Sequence, residues 1–400
     1  MKTNLPPKPG VAPEVASRAL PSFDFQPLTR VVFGPGCLTR LGPLVRELGG
    51  ERVLVVTDPG LEKAGHPQRA VESLRSEHLD VFVFDGVEEN PTARHVDNGL
   101  KVARQHQIDF LVAVGGGSSM DTAKGVNFLF TNGGSMADYV GLGKATKPML
   151  PSVGVPTTAG TGSEAQSYAL IADEETHMKM ACGDRKVAFK VAILDPEVTV
   201  SQPAKVTAIT AIDALAHALE TYVSTRRNTL SQAFSREAWR LLEPNFEVVL
   251  RDPKNIEARS AMQLGAHLAG LAIENSMLGA CHACANPLTA HYGITHGIAI
   301  GIVLPHVIRF NASAVGSLYR EVAHEVGLHN GDLQIAAESL AQQMRHFVAT
   351  AGLPTTLSAC GVSAGILDLL AEEAAQQWTG RFNPRPVTQS DLRQLYEAAL

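Results

Sequence analysis

The 400-residue chain lacks most of the features that mark a specialised class of protein. Its five cysteines are an odd and widely scattered set, which fits reduced thiols rather than a disulfide framework. Cys281-His-Ala-Cys284 has no second pair to complete a four-cysteine zinc site, so these thiols read as small apolar residues flanking His282. Basic charge is also in short supply, with 34 Lys and Arg against 40 Asp and Glu and a net charge of -6. That balance argues against a nucleic-acid partner. No uninterrupted apolar run approaches the ~18 to 20 residues of a membrane span, the nearest being Phe110 to Val114 and Ile298 to Leu304. Pro6, Pro7, Pro9 and Pro13 interrupt any signal-peptide core, so a soluble, cytoplasmic protein without a membrane partner is expected. No internal repeat is visible.

What is present is a globular composition, 45% hydrophobic and 18% charged. The length exceeds the ~250 to 300 residues at which single cores stop growing, so two domains are expected. Residues 1–22, rich in Pro and Ala, read as a flexible arm. Across 23–203, the short runs Val31 to Phe33, Val53 to Thr57, Val81 to Phe84 and Phe110 to Val114 are separated by helix-like stretches near 61–75 and 92–106. This β-α-β pattern predicts a parallel sheet covered by helices, a Rossmann-like α/β nucleotide-binding domain. From 204 to 400 helical periodicity takes over, with helices predicted over 205–224, 230–250, 256–278 and 334–351. An all-helical second domain follows.

Each half carries candidate chemistry. Strand Phe110 to Val114 runs into Gly115-Gly116-Gly117-Ser118, where glycines admit a pyrophosphate and a helix beginning near Ser118 would direct unpaired N–H groups at it. The run matches neither the G-x-G-x-x-G fingerprint nor a P-loop. Asp58 ends the first strong strand, where its carboxylate can accept from a ribose 2′-OH and repel a 2′-phosphate, favouring NAD over NADP; helix capping is its structural alternative. Pro156-Thr157-Thr158-Ala-Gly160-Thr161-Gly162-Ser163-Glu164 is dense in hydroxyls and glycines that can hold phosphate and ribose. In the second half, Asp213 and His217 lie four apart on a helix, about 40° around its axis. His282 and His296 follow. One oxygen and three nitrogens suit Fe²⁺ or Zn²⁺.

These blocks, with Ile193-Leu-Asp195-Pro196, Asp213-Ala-Leu-Ala-His217-Ala-Leu-Glu220 and Thr295-His296-Gly297 leading to Leu304-Pro305-His306, closely resemble the iron-containing, group III, alcohol dehydrogenase family. The resemblance runs from about Arg30 to Leu400. It implies a dehydroquinate synthase-like fold with the active site in the cleft between an NAD(P) domain and a helical metal domain. It also implies metal ligands at Asp213, His217, His282 and His296. The nucleotide contacts it implies are Asp58, Asn90, Gly116, Gly117, Ser118, Thr157, Thr158 and Thr161, with Asp121 in the glycine block and Lys179 where family members often carry a cofactor-contacting lysine. A homodimer is the family expectation.

One departure stands out. Many family members carry a histidine four residues after the third ligand, suspected of relaying the alcohol proton, and this chain has Asn286. An amide is no general base near neutral pH, so Asn286 is expected to shape the pocket while water, the cofactor ribose, His291 or His306 takes the proton. The activity implied is hydride transfer between a nicotinamide and a small alcohol or aldehyde whose oxygen is bound to the metal. Alternatives are a polyol or hydroxy-acid dehydrogenase of the same fold, a dehydroquinate synthase-like lyase, and a nucleotide-sensing protein without turnover. The lyase would require a basic cluster near the ligands, whereas Arg226, Arg227, Arg236, Arg240, Arg251, Lys254 and Arg259 fall in other segments.

Overall fold

Short β-branched runs build a parallel sheet whose residues alternate between two buried faces. The computed structural model describes residues 21–328 and 333–400. Except for Pro21 and Ser22, the expected N-terminal arm lies outside the described residues. The main strands are β1 (Arg30–Phe33), β2 (Arg52–Val56), β3 (Asp80–Phe84), β4 (Phe110–Gly115), β6 (Ser152–Pro156) and β9 (Val191–Leu194), in the order β1-β9-β6-β4-β2-β3, every pairing parallel. A smaller sheet joins β5 (Gly141–Leu142), β8 (Lys179–Gly183) and β7 (Tyr168–Ala172).

Helices α1 (Leu41–Glu47), α2 (Pro59–Ala64), α3 (His66–Ser76), α4 (Ala93–His106) and α5 (Gly117–Asn132) complete the α/β segment. Val53, Val55, Val112 and Val114 pack with Leu41, Leu44 and Leu74 on one side of the sheet. Their neighbours Leu54, Val56, Leu111 and Ala113 pack with Val96, Leu100, Met120 and Val126 on the other. Burial of both faces is what the continuous apolar runs require of a parallel sheet.

The chain then becomes helical: α6 (Ala204–Val223), α7 (Thr229–Arg251), α8 (Ile256–Ser276), α9 (Ala280–Tyr292), α10 (His296–Glu325), α11 (Leu333–Thr350), α12 (Leu367–Gln376) and α13 (Gln389–Ala399). They share one apolar core centred on α6, whose residues from Ala211 to Val223 are all buried. α10 revises the sequence expectation about long apolar segments. By length and composition it could cross a membrane, because its apolar stretch continues through Pro305 and His306, yet 67% of its most apolar window is buried inside the protein. It is a core helix of the bundle, kinked at Val315.

Candidate functional site

A cavity of about 830 Å³ opens where the C-terminal ends of β2, β4 and β6 face α6, α8 and α9. β2 pairs with β3 on one side and β4 on the other, so this crevice lies at a reversal of strand order, where open α/β sheets bind ligands. The residues just beyond the strands line it: Asp58 after β2, Gly116 after β4 and Thr157 after β6. Asn90, Gly117, Ser118, Asp121, Thr158, Thr161 and Lys179 join them, as do Asp213, His217, His282 and His296. Every nucleotide and metal candidate from the sequence thus faces one space.

Local structure explains how they meet. α5 starts at Gly117 with no side chain capping its first turn, leaving that turn's N–H groups turned to the cavity end of β4. A Cβ on Gly116 would lie 3.2 Å from Thr158 Cγ2, and one on Gly117 would lie 2.7 Å from Thr161 Cγ2, so the glycine turn and the threonine loop interlock. Asp58 performs the capping alternative: its Oδ1 accepts from Gly60 N (2.9 Å) and Leu61 N (3.1 Å) while the residue lines the cavity. Asn90 takes the left-handed conformation (φ 53°) that Asn tolerates better than most residues.

Asp121 is held from behind. Its Oδ1 accepts from Ser163 Oγ (2.7 Å), and the fully buried Lys124 donates to Ser163 Oγ, Ser163 O and Tyr168 O at 2.7–2.8 Å. Lys179, arriving from β8, is pushed below the ordinary lysine range by burial, against the pull of Asp213, Asp121 and Glu89.

Asp213 is the hub of the second group. Its Oδ1 lies 3.3 Å from His217 Nε2, 3.4 Å from His282 Nε2 and 3.8 Å from His296 Nε2. Donor atoms of Asp213, His217 and His282 all lie within 4.8 Å of one another, and the His282 and His296 ring centres are 5.4 Å apart. Asp213 Oδ1 and His282 Nε2 are buried without a hydrogen-bond partner among the described residues. Orphaned lone pairs that converge in this way fit a divalent cation, as does a one-oxygen, three-nitrogen donor set. Burial pushes His217 down to about 4 and His296 well below its usual value, keeping both imidazoles neutral and able to donate lone pairs. His296 reaches the group because a Cβ on Gly297 would come 2.2 Å from Ile209 O, so only glycine lets α10 begin against the backbone of α6.

Sequence reasoning passed over Glu220. It lies three residues after His217 on the same face of α6, and its Oε2 is 2.6 Å from His282 Nδ1. Helical spacing, with positions 213, 217 and 220 within about 60° of one another, is the signal that would have found it. Also unread was a polar stripe on α8. Gln263 Nε2 donates to Pro156 O (2.9 Å), His267 Nδ1 lies 3.1 Å from Glu164 Oε1, and Glu274 accepts from the N–H and hydroxyl of Ser167. This stripe ties the helical bundle to the threonine loop.

The candidates for the proton relay lie elsewhere. Asn286 is not among the residues lining the cavity; its amide donates to Gln377 Oε1 at 2.9 Å. His291 pairs with Glu373 at 2.7 Å on a partly exposed surface. His306 is lowered to about 4 by burial and by Arg309 and Arg345, and it is also absent from the lining. Cys281 and Cys284 are buried, and burial raises both thiols, leaving them as packing atoms.

Comparison with known proteins decides the family. The description "Iron-containing alcohol dehydrogenase" matches residues 28–196, and "Fe-containing alcohol dehydrogenase family, C-terminal" matches 207–400. The chain belongs to the iron-containing alcohol dehydrogenase family. Membership makes it an oxidoreductase of the metal-dependent, nicotinamide-linked alcohol dehydrogenase type. It is 34% identical to Alcohol dehydrogenase 4 of Schizosaccharomyces pombe, over 96% of this chain and 91% of that protein. It is also 34% identical to the NAD-dependent methanol dehydrogenase of Bacillus methanolicus, over 92% and 97%. A solved 1,3-propanediol oxidoreductase superposes with a TM-score of 0.92 at 34% identity, covering 95% of this chain and all of that one. The family implies a divalent metal and NAD.

Proposed function

We propose that this dehydrogenase oxidises small neutral alcohols, or reduces their aldehydes, with NAD, holding Fe²⁺ or Zn²⁺ through Asp213, His217, His282 and His296. The observation that carries the reading is that one cavity is lined by both the four converging donors and the glycine turn at the start of α5. A divalent ion there supplies the Lewis acidity that lowers an alcohol's pKa. The chain's own residues do the rest. Gly116, Gly117 and Ser118 admit the pyrophosphate, Thr157, Thr158 and Thr161 offer hydroxyls, Asn90 and Asp121 line the same cradle, and Lys179 bridges towards the ligand group. With Asn286, His291 and His306 outside the lining, the proton leaves through water or the cofactor ribose.

The wall contributed by Ile209, Ile273 and Leu278 is apolar, and among the described residues no arginine and only two lysines, Lys179 and Lys205, line the cavity, with no cluster of cations to hold an anion. That supports a neutral substrate over a hydroxy acid or the anions of a lyase; relatives named for methanol and 1,3-propanediol point the same way. Residues 23–203 and 204–400 act as two domains closing on this cleft, in a homodimer. The five free cysteines support a reducing, cytoplasmic setting.

The test is NADH formation by metal-stripped protein reloaded separately with Fe²⁺, Zn²⁺, Mn²⁺ or nothing, across short alcohols, diols and their aldehydes. Turnover only with metal is expected; tight NAD binding without turnover under any metal would overturn the reading. NAD preference has its own test in Asp58→Asn. Asn caps a helix about as well as Asp, so the variant keeps the Gly60 and Leu61 bonds and loses only charge. The KM for NADP is expected to fall by roughly tenfold, the effect of relieving a repulsion of about 1.4 kcal/mol. An unchanged NADP-to-NAD ratio would remove Asp58 from the discrimination.

A further inference from the structure

We propose that Glu220 is the positioning residue for His282: it sets that ring's tautomer and orientation and supplies the second negative charge that offsets a bound divalent cation. The proposal rests on the metalloenzyme reading above and adds a residue that makes no contact with the ion. Neutral imidazole carries one proton, on either nitrogen. Glu220 Oε2 lies 2.6 Å from His282 Nδ1, and a carboxylate can only accept there, so Nδ1 carries the proton. The lone pair is thereby left on Nε2, the atom that faces Asp213 Oδ1 at 3.4 Å and has no hydrogen-bond partner among the described residues.

The carboxylate is itself held rigidly. Oε1 accepts from Cys281 N at 2.7 Å and Oε2 from Gly279 N at 3.2 Å, so the same group grips the first turn of α9 and the ring that α9 carries. A Cβ on Gly279 would come 2.9 Å from Glu220 Oε1, which is why the turn before His282 is a glycine. Glu220 is 4% exposed, and His282 is the ion-pair partner the structure gives it. Its charge therefore acts on the imidazole and, through it, on the ion. Together Asp213 and Glu220 bring two negative charges to a buried site for a doubly charged cation.

The competing role is a cap on α9 and nothing more. Asn383 separates the two, since its Oδ1 accepts from Ala280 N (3.3 Å) in the same turn while it is not among the residues paired with His282. Full-length wild type, Glu220→Gln and Asn383→Ala should be titrated in metal-free form with Zn²⁺ against a chromophoric chelator, and their metal-free melting temperatures measured. Glu220→Gln is expected to weaken Zn²⁺ binding by about 10- to 100-fold, the usual cost of losing such a partner. Asn383→Ala is expected to lower the melting temperature and leave Zn²⁺ affinity as in wild type. Glu220→Gln that binds Zn²⁺ as tightly as wild type overturns the proposal.

A wild-type measurement covers the case in which Glu220→Gln does not fold. In Zn²⁺-loaded, ¹⁵N-histidine-labelled protein, His282 should show a protonated Nδ1 and a metal-bound Nε2; the opposite tautomer overturns the proposal. Wild type that takes up no Zn²⁺ would overturn the metalloenzyme reading and this proposal with it, and so marks the failure of the former.

Discussion

Asp213→Ala is expected to emerge from purification without metal and to lose on the order of 10³-fold or more in kcat/KM, the several kcal/mol that metal-ion catalysis supplies. The reason lies in the geometry of the hub. A single carboxylate oxygen lies within 3.3–3.8 Å of three imidazole nitrogens, so its removal takes away both a donor and the charge that draws a cation between them. Three neutral nitrogens remain at a buried place with no negative ligand. Burial alone would raise Asp213, but the imidazoles of His217, His282 and His296 gathered around its carboxylate hold it far below the usual carboxylate range. The anion that binds a cation is therefore the form present at neutral pH. Metal content by atomic spectroscopy, far-ultraviolet circular dichroism and steady-state NADH formation check the prediction together. A folded Asp213→Ala that retains stoichiometric metal and wild-type turnover would remove Asp213 from the ligand set.

Gly162→Ala should be the most damaging single-methyl change in the threonine loop. Gly162 adopts φ +60°, and a Cβ there would lie 2.6 Å from Gly270 Cα and 2.9 Å from Ala266 O on α8. Backbone meets backbone, so no side chain can swing away. A left-handed L residue costs roughly 1–2 kcal/mol, and forced overpacking adds about 1–3 kcal/mol. Gly293→Ala is the internal control: it shares the conformation (φ +61°) but has nothing within 4 Å of the added carbon, so it should show the backbone cost alone. Urea denaturation of the two variants measures the difference. Because Thr157, Thr158 and Thr161 ride on the displaced loop, the KM for NAD should also rise in Gly162→Ala and not in Gly293→Ala. Equal destabilisation by both substitutions would show that the α8 contact relaxes without cost.

The same loop illustrates where sequence reading stopped. Its hydroxyls and glycines announced a phosphate or ribose site, but Gly160 and Gly162 have a more immediate use. A Cβ on Gly160 would strike Thr210 Cβ at 2.6 Å on α6, as one on Gly162 would strike α8. Each glycine admits the backbone of a different helix, and nothing local in the sequence reports which helix that is. The polar stripe of α8 was invisible for a similar reason. Gln263, His267 and Glu274 read as a solvent face until the loop 156–167 covers them. Of the strands, β6 and β9 are buried at every residue and so do not alternate, with Gly154 and Pro156 interrupting β6, while β7 and β8 join β5 in a separate sheet at the side of the main one.

Sequence alone determined what is written in periodicity and short-range spacing. The predicted helix over 205–224 is Ala204–Val223, and the one over 230–250 is Thr229–Arg251, because apolar residues at three- and four-residue intervals have one economical geometry. The alternation of strand and helix dictated a parallel sheet, and Asp213 and His217 shared a helix face by arithmetic. Tertiary structure decided what depends on separation in space between residues far apart in the chain. It brought His282 and His296 to Asp213 and placed Glu220 behind His282, while directing Asn286 towards Gln377. Those outcomes rest on how α6, α9 and α10 meet: at Gly297 the chain does without a side chain where a Cβ would strike the backbone of α6, and at Gly279 it leaves room for the Glu220 carboxylate.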